Sequence, residues 1–241
     1  MEITRNGGTP GRASVNMLEL RELSFAYPDK GFALSVPELT LEAGETMALL
    51  GPSGSGKTTL LNLLAGILTP ITGSIQLNGD KPSALNERQR RRHRLLNMGM
   101  IFQSFELLDY LDVRDNILLQ GRLCDSRRSD VNLEEQAWQI AEDLGLGDKW
   151  RRNSMALSQG ERQRVAVCRA LLLNPGLVLA DEPTGNLDPD NKITVLRKLI
   201  ANCKQHQRIL LTVTHDHSLL AEFDRVIDID SLVHKQSRPD G

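Results

Sequence analysis

Residues 47–64 read Met47-Ala48-Leu49-Leu50-Gly51-Pro52-Ser53-Gly54-Ser55-Gly56-Lys57-Thr58-Thr59-Leu60-Leu61-Asn62-Leu63-Leu64. Positions 51–58 match G-x-x-x-x-G-K-[ST], a phosphate-binding loop. Met47 to Leu50 is a short apolar run of the kind a buried strand shows, and the leucines after Lys57 have helical spacing. Glycines at 51, 54 and 56 let the backbone adopt φ > 0 and leave no side chain in the way. Successive N–H groups then point inward as an anion nest, and the helix beginning near Lys57 adds its positive end. Lys57 is placed to reach the β- and γ-phosphates of a nucleotide. The Thr58 hydroxyl is placed to ligate Mg²⁺, a hard cation that prefers oxygen. The nucleotide-binding set read from this stretch is Gly51, Pro52, Ser53, Gly54, Ser55, Gly56, Lys57, Thr58 and Thr59.

Bulk properties bound the rest. At 241 residues the chain suits one or two domains with ample core. Hydrophobic residues are 40% and charged residues 25%, as in an ordinary soluble globular protein. A net charge of −2 argues against non-specific nucleic-acid binding, which needs a basic excess. Cys124, Cys168 and Cys203 are far apart and lack metal-ligand spacing, which fits a reducing cytosol. No apolar stretch approaches the ~18 residues of a membrane span. The first sixteen or so residues lack the apolar core of a signal peptide and read as a disordered tail, residues 1–16. Residues 236–241 read as a second short tail.

Strand-like runs at Leu18–Phe25, Ala33–Val36 and Leu39–Glu42 precede the loop and suggest an antiparallel β layer. Ser74–Gly79 adds a strand ending in an Asn-Gly turn. Asn86–Leu96 reads as a basic helix carrying Arg88, Arg90, Arg91, Arg92 and Arg94, a solvated face by default and otherwise a contact for anionic headgroups or a membrane subunit. Met98–Gln103 reads as a strand. Helical patterning runs from Val113 to about Leu146, with a start at Asn132-Leu133-Glu134-Glu135. Further helices are expected at Gln159–Leu173 and Asp188–Asn202. The continuous apolar runs Gly176–Ala180 and Ile209–Thr214 read as central parallel strands covered on both faces. Strands alternating with helices imply a mainly parallel α/β sheet, and residues about 106–157 read as an inserted helical subdomain.

Leu177-Val178-Leu179-Ala180-Asp181-Glu182 is the second strong pattern. An apolar strand ends in two carboxylates, at the strand end where open α/β sheets bind ligands. Two charges there are costly unless a cation or a reaction uses them. Alone, the pair reads equally as a solvated helix cap, since Pro183 follows. Beside the phosphate loop, Asp181 fits as a holder of Mg²⁺ and Glu182 as the group that polarises an attacking water.

Ala156-Leu157-Ser158-Gln159-Gly160-Glu161-Arg162-Gln163-Arg164 decides among nucleotide-hydrolysing families. Locally it is a serine before a flexible glycine at a helix start, for which a plain N-cap would suffice. With it in place, the order Gly51–Thr59, Gln103, Leu157–Glu161, Asp181–Glu182, Asn186-Leu187-Asp188, His215 resembles the ATP-binding cassette (ABC) ATPases, the motor subunits of ABC transporters, over about residues 17–234. The fold this implies is an α/β P-loop NTPase of the ABC ATPase type: a mainly parallel sheet core, an antiparallel β layer and an inserted helical subdomain within a domain spanning 17–235.

By that resemblance Tyr27 matches the aromatic that stacks on adenine, and Gln103 the glutamine that contacts Mg²⁺ and the attacking water. Ser158, Gln159 and Gly160 match signature residues that meet the γ-phosphate bound by the opposite protomer, and Asp188 the loop crossing that interface. His215 matches the histidine that touches the γ-phosphate. Expected catalytic residues are Glu182, His215, Lys57 and Gln103; expected metal contacts are Thr58, Gln103 and Asp181. The other histidines, His93, His206, His217 and His234, read as ordinary. The signature departs from the family pattern in having Gln159 for glycine and Glu161 for glutamine. Thr184-Gly185-Asn186-Leu187-Asp188, with Gly51–Gly56 and Phe102-Gln103-Ser104-Phe105, is similar to the lipoprotein-release and macrolide-export subfamily, although import-type cassettes share most of these words. The resemblance implies ATP and Mg²⁺ as ligands, a second ATPase copy and an integral membrane subunit as partners, no specific nucleic acid, and a peripheral place on the cytoplasmic face of the inner or plasma membrane. A soluble or regulatory ABC ATPase of the cell-division or repair type is the alternative. A small P-loop kinase would explain neither the signature nor His215.

Overall fold

The computed structural model describes residues 17–28, 32–124 and 130–232, so the tails expected at 1–16 and 236–241, and His234, lie outside the described residues. In chain order the elements are β1 (Met17–Ala26), β2 (Ala33–Glu42), β3 (Thr46–Leu50), α1 (Lys57–Leu64), β4 (Thr72–Leu77), α2 (Glu87–Asn97), β5 (Met98–Ile101), α3 (Val113–Leu123), α4 (Asp130–Asp143), α5 (Gln159–Leu171), β6 (Leu177–Asp181), α6 (Pro189–Gln205), β7 (Ile209–Thr214), β8 (Arg225–Asp228) and α7 (Ile229–Leu232). Short 3₁₀ turns join several of them.

The strands form two sheets. One is antiparallel, in the order β2-β1-β4; the other has five strands in the order β5-β6-β7-β3-β8, every neighbouring pair parallel. The apolar runs of β3, β6 and β7 sit in the middle of the parallel sheet, where both faces must be covered. Their residues alternate between two cores. Ala48, Val178, Ala180 and Leu210 face the core built with α3, α4, α5 and α6. Met47, Leu49, Leu177, Leu179, Ile209, Leu211 and Val213 face the core built with α1 and the antiparallel sheet. Helix starts follow their caps: the Asn86, Asp112, Ser158 and Asp188 side chains each accept a first-turn backbone N–H of α2, α3, α5 and α6.

Two expectations change. Ala33–Val36 and Leu39–Glu42 are one strand, β2, which runs through Pro37. Pro37 is tolerated because β2 is an edge strand, and the β1 register skips Glu22, whose φ is 49°, between Arg21↔Glu38 and Leu23↔Val36. The helical stretch from Val113 to Leu146 is two helices, α3 ending at Leu123 and α4 starting at Asp130, before the expected Asn132. In the arginine-rich helix α2, Arg88, Arg91 and Arg92 are exposed, while Arg90 and Arg94 are half-buried against the fold. Arg94 donates to the Ala65 carbonyl at 3.1 Å, Arg90 to Thr69 at 3.1 Å, and Arg91 pairs with Glu87.

The close packing of α5 on the edge strand β5 depends on Gly99, where an added Cβ would stand 2.5 Å from the Ala170 carbonyl oxygen. That contact is with backbone and cannot relax by a rotamer change. Gly99→Ala is expected to lower stability by about 1–3 kcal/mol, read as a lower urea midpoint with an unchanged slope.

Candidate nucleotide site

The parallel strands all end at one edge, and their ends carry the predicted residues. The loop 51–56 follows β3, Gln103 follows β5, Asp181 ends β6 with Glu182 just after it, and His215 follows β7. Apart from Ser55 they line, together with Tyr27, Phe32, Lys57, Thr58 and Thr59, an open cleft of about 880 Å³.

The phosphate loop is held by its glycines. Gly56, the N-cap of α1, has φ 101°, and a Cβ there would stand 2.7 Å from the Phe32 ring. At Gly51 a Cβ would meet Ile229 at 2.4 Å. No side chain caps α1, so its first N–H groups remain available to an anion. The Lys57 ammonium donates to the carbonyls of Gly51 and Pro52 at 2.7 and 2.8 Å. Ser55 is turned inward, 1% exposed, and does not line the cleft.

The Thr58 hydroxyl donates to Asp181 Oδ2 at 3.3 Å. Burial, reinforced by the charge of Glu182, pushes the Asp181 carboxyl above its usual range, while Thr58 and Lys57 oppose the shift. Glu182 has φ 47°, a left-handed conformation that is rare and strained for a glutamate. Its N–H donates to the Val213 carbonyl at 3.0 Å, which ties the bend after β6 to β7. Glu182 Oε1 lies 2.7 Å from His215 Nδ1, with the carboxylate mostly buried and the imidazole exposed. Asp216, next to His215, accepts from Lys192 at 2.9 Å and from the Ser218 hydroxyl at 2.6 Å. The Ser218 hydroxyl and the Lys192 ammonium hold the Asp216 carboxyl down at about 2.

Ser158, Gln159, Gly160 and Asp188 do not line this cleft. Ser158 and Gln159 are exposed at the start of α5. Ser158 and Glu161 form a reciprocal capping box: Glu161 accepts from the Ser158 N–H at 2.7 Å, and Ser158 Oγ accepts from the Glu161 N–H at 3.3 Å. Burial opposes its charge, yet the bonds with Ser158 hold the Glu161 carboxyl below its usual range. The unusual Glu161 is thus an N3 residue of helix α5. Gly160 packs on Asn191, whose N–H and side-chain amide donate to Asp188 at 3.1 and 2.7 Å.

Three cleft features had no sequence signal assigned to them. Phe32 lines the cleft beside Tyr27, ring centroids 6.3 Å apart. The Asn186 side chain donates to the Gln103 carbonyl at 2.8 Å. Gly185 leaves room for the Gln103 amide, since a Cβ there would stand 2.9 Å from Gln103 Nε2. The run 184–188 contained both of the latter residues, but only Asp188 was singled out from it.

The ABC transporter family model matches residues 34–185, and the chain belongs to that family. It is 40% identical over 216 residues to the lipoprotein-releasing system ATP-binding protein LolD 1 of Rhodopirellula baltica, covering 88% of this chain and 93% of that protein. It is 38% identical over 222 residues to the uncharacterized ABC transporter ATP-binding protein YvcR of Bacillus subtilis, covering 89% and 84%. Among solved structures it is similar to the dimeric post-hydrolysis state of the ATP-binding cassette MJ0796 bound to ADP and Pi, with TM-score 0.77, 26% identity, and 93% and 100% of the two chains covered. The fold also matches cbiO1 from Clostridium perfringens, with TM-score 0.80, 24% identity, and 92% and 89% covered. The protein is an ATP-binding, ATP-hydrolysing subunit of an ABC transporter.

Because the amide of Gln103 is flexible and the 185 backbone is not, Gly185→Ala displaces the amide at little cost in stability. The variant is expected to turn over ATP about tenfold or more slowly, the scale of loss caused by misplacing one polar group at a reacting centre. ADP affinity, measured by calorimetry, stays within a factor of about two, since uniform binding is untouched.

Proposed function

We propose that two copies of this chain enclose two ATP molecules and drive a separate membrane subunit of the lipoprotein-release or related export type, from the cytoplasmic face of the membrane. The observation that carries this reading is the division of the predicted residues. The phosphate loop, carboxylates and histidine share one cleft, whereas Ser158, Gln159 and Gly160 lie outside it, Ser158 and Gln159 exposed at the start of α5. A second copy supplies the missing half. The lipoprotein-releasing system for which LolD 1 is named and the dimeric state of MJ0796 support the reading. Among the described residues no helix is long and apolar enough to cross a membrane, so translocation or extraction needs a partner.

In this reading residues 17–235 form the ATPase domain and about 106–157 its helical subdomain. Tyr27 and Phe32 offer aromatic faces to the adenine. Lys57 exchanges its bonds to the Gly51 and Pro52 carbonyls for bonds to the β- and γ-phosphates. Ser158 and Gly160 of the second copy reach the same γ-phosphate, so ATP contacts both halves only when the pair is closed. That difference in contacts is what lets ATP drive closure. Glu182, held by Val213 through its N–H and by His215 through its carboxylate, orients and accepts a proton from the attacking water. His215 turns toward the γ-phosphate. Thr58 Oγ1 and Asp181 Oδ2 are hard oxygens 3.3 Å apart, a donor set that fits Mg²⁺, with Gln103 at its edge. Mg²⁺, when bound, neutralises phosphate charge.

Movement passes through Gln103. Next to it, Met98, Met100, Phe102, Leu119 and Leu123 line an apolar groove of about 450 Å³ edged by Arg91, Arg94 and Arg169. Arg169 ties the groove to the loop after β5 by donating to the Phe105 carbonyl at 2.8 Å. The membrane subunit docks here, so closure of the ATPase pair pulls on it.

Glu182→Gln is expected to bind ATP as tightly as the parent while hydrolysis falls by about 10²–10⁴-fold, the range for loss of a general base. Substantial residual turnover would remove Glu182 from that role. With ATP and Mg²⁺, the tagged variant should co-purify from detergent-solubilised membranes with a polytopic protein carrying a large extracytoplasmic domain. Recovery of soluble proteins alone, despite good extraction, would contradict the proposal.

A further inference from the structure

On the far side of the domain from this chemistry, α4, the C-terminal ends of α5 and α6 and the start of β7 line a second open cavity of about 880 Å³. Its lining is rich in amides, Asn132, Gln136, Gln139, Asn174, Asn202 and Gln205, with His206 and apolar side chains between them. Arg208 also lines it and is 4% exposed. Such a guanidinium is expected to face a carboxylate, because an uncompensated buried charge is costly. Here it donates instead to two neutral oxygens, Asn202 Oδ1 at 2.5 Å and Asn174 Oδ1 at 2.9 Å. Its buried Nε–H has no hydrogen-bond partner among the described residues.

Two features bear on what is missing. The α5 and α6 ends give Arg208 the diffuse negative potential of helix C-termini, which lets the cation persist but puts no acceptor on Nε. The one carboxylate among the described lining residues, Asp143, is exposed and accepts from Gln139 at 3.0 Å. Asn202 and Asn174, having turned their oxygens to Arg208, keep their NH₂ groups as donors. A buried cation whose partners are neutral, with an unpartnered Nε–H and amide donors around it, is the chemistry of an anion site.

We propose that this cavity binds a small anionic molecule, through a phosphate or carboxylate group that pairs with Arg208. Bound there, the ligand bridges α4 to the ends of α5 and α6 and holds α4 against the sheet-bearing core. It is separate from the nucleotide cleft, with which it shares no lining residue.

The test is hydrogen exchange on the full chain with the nucleotide cleft saturated by ADP and Mg²⁺. Pyrophosphate and citrate are added separately, so that phosphate and carboxylate sources are told apart. At roughly ten times the dissociation constant, exchange in peptides covering 132–143 and 202–208 should slow about tenfold where it proceeds by opening of the bound state. Arg208→Gln should abolish the protection. Because that variant can also fail to fold, Asn202→Asp is the second arm: it gives Arg208 an internal carboxylate, and should raise the melting temperature while removing the protection. The proposal is overturned if neither anion protects these peptides in the parent chain, or if Asn202→Asp is protected as well as the parent, which would mark adventitious anion binding only.

Discussion

The site depends on the burial of β3, β6 and β7 between two apolar cores. Each strand is too apolar to tolerate water on either face, so helices and the antiparallel sheet must cover both. With both faces closed, the carboxyl edge of the sheet is where polar chain can emerge, and parallel pairing brings every such end to the same edge. The phosphate loop, the Asp181-Glu182 pair, Gln103 and His215 are neighbours for that reason. They come from distant parts of the chain, and no local interaction could assemble them.

At that edge, order is maintained by backbone bonds and by tight fits between loops. The strained bend at Glu182 is fixed by its bond to Val213, and its side chain meets His215 across the strand ends. The His215 loop is in turn pinned by Asp216 to Lys192 on α6. Gln103 is held at its carbonyl by Asn186 and given space by Gly185. The loop that follows Glu182 therefore connects the reacting end of the cleft to the groove beside β5.

Much of this was legible in the sequence because it is written in local chemistry. A strand, a glycine loop and a helix start have short-range signatures, and so do the caps Asn86, Ser158 and Asp188, which set the beginnings of three helices. What was hidden depends on partners distant in the chain. Which face of β6 looks to which core is invisible when every residue is apolar. Ala33–Val36 and Leu39–Glu42 read as separate strands, and the edge position of β2 lets it run on through Pro37 between them. The space Gly185 leaves for Gln103, and the place of Phe32 beside Tyr27, exist only once the strands are assembled. The substitution Glu161 in the signature becomes intelligible from the capping box, because a glutamate at N3 suits both the box and the positive helix end.

The central claim is that each ATP site is completed by a second copy of the chain. Lys57→Ala should lose the phosphate contact, and Ser158→Arg should block the opposing half; each variant alone should be folded and nearly inactive. Mixing them tests the claim directly. A mixed pair contains one site with both defects and one site with neither. The account predicts that an equimolar mixture regains about a quarter of parental ATPase activity, since half of randomly assorted pairs are mixed and each has one intact site of two. If the variants fold and pair but the mixture stays as inactive as its components, the site is not shared between chains in this way.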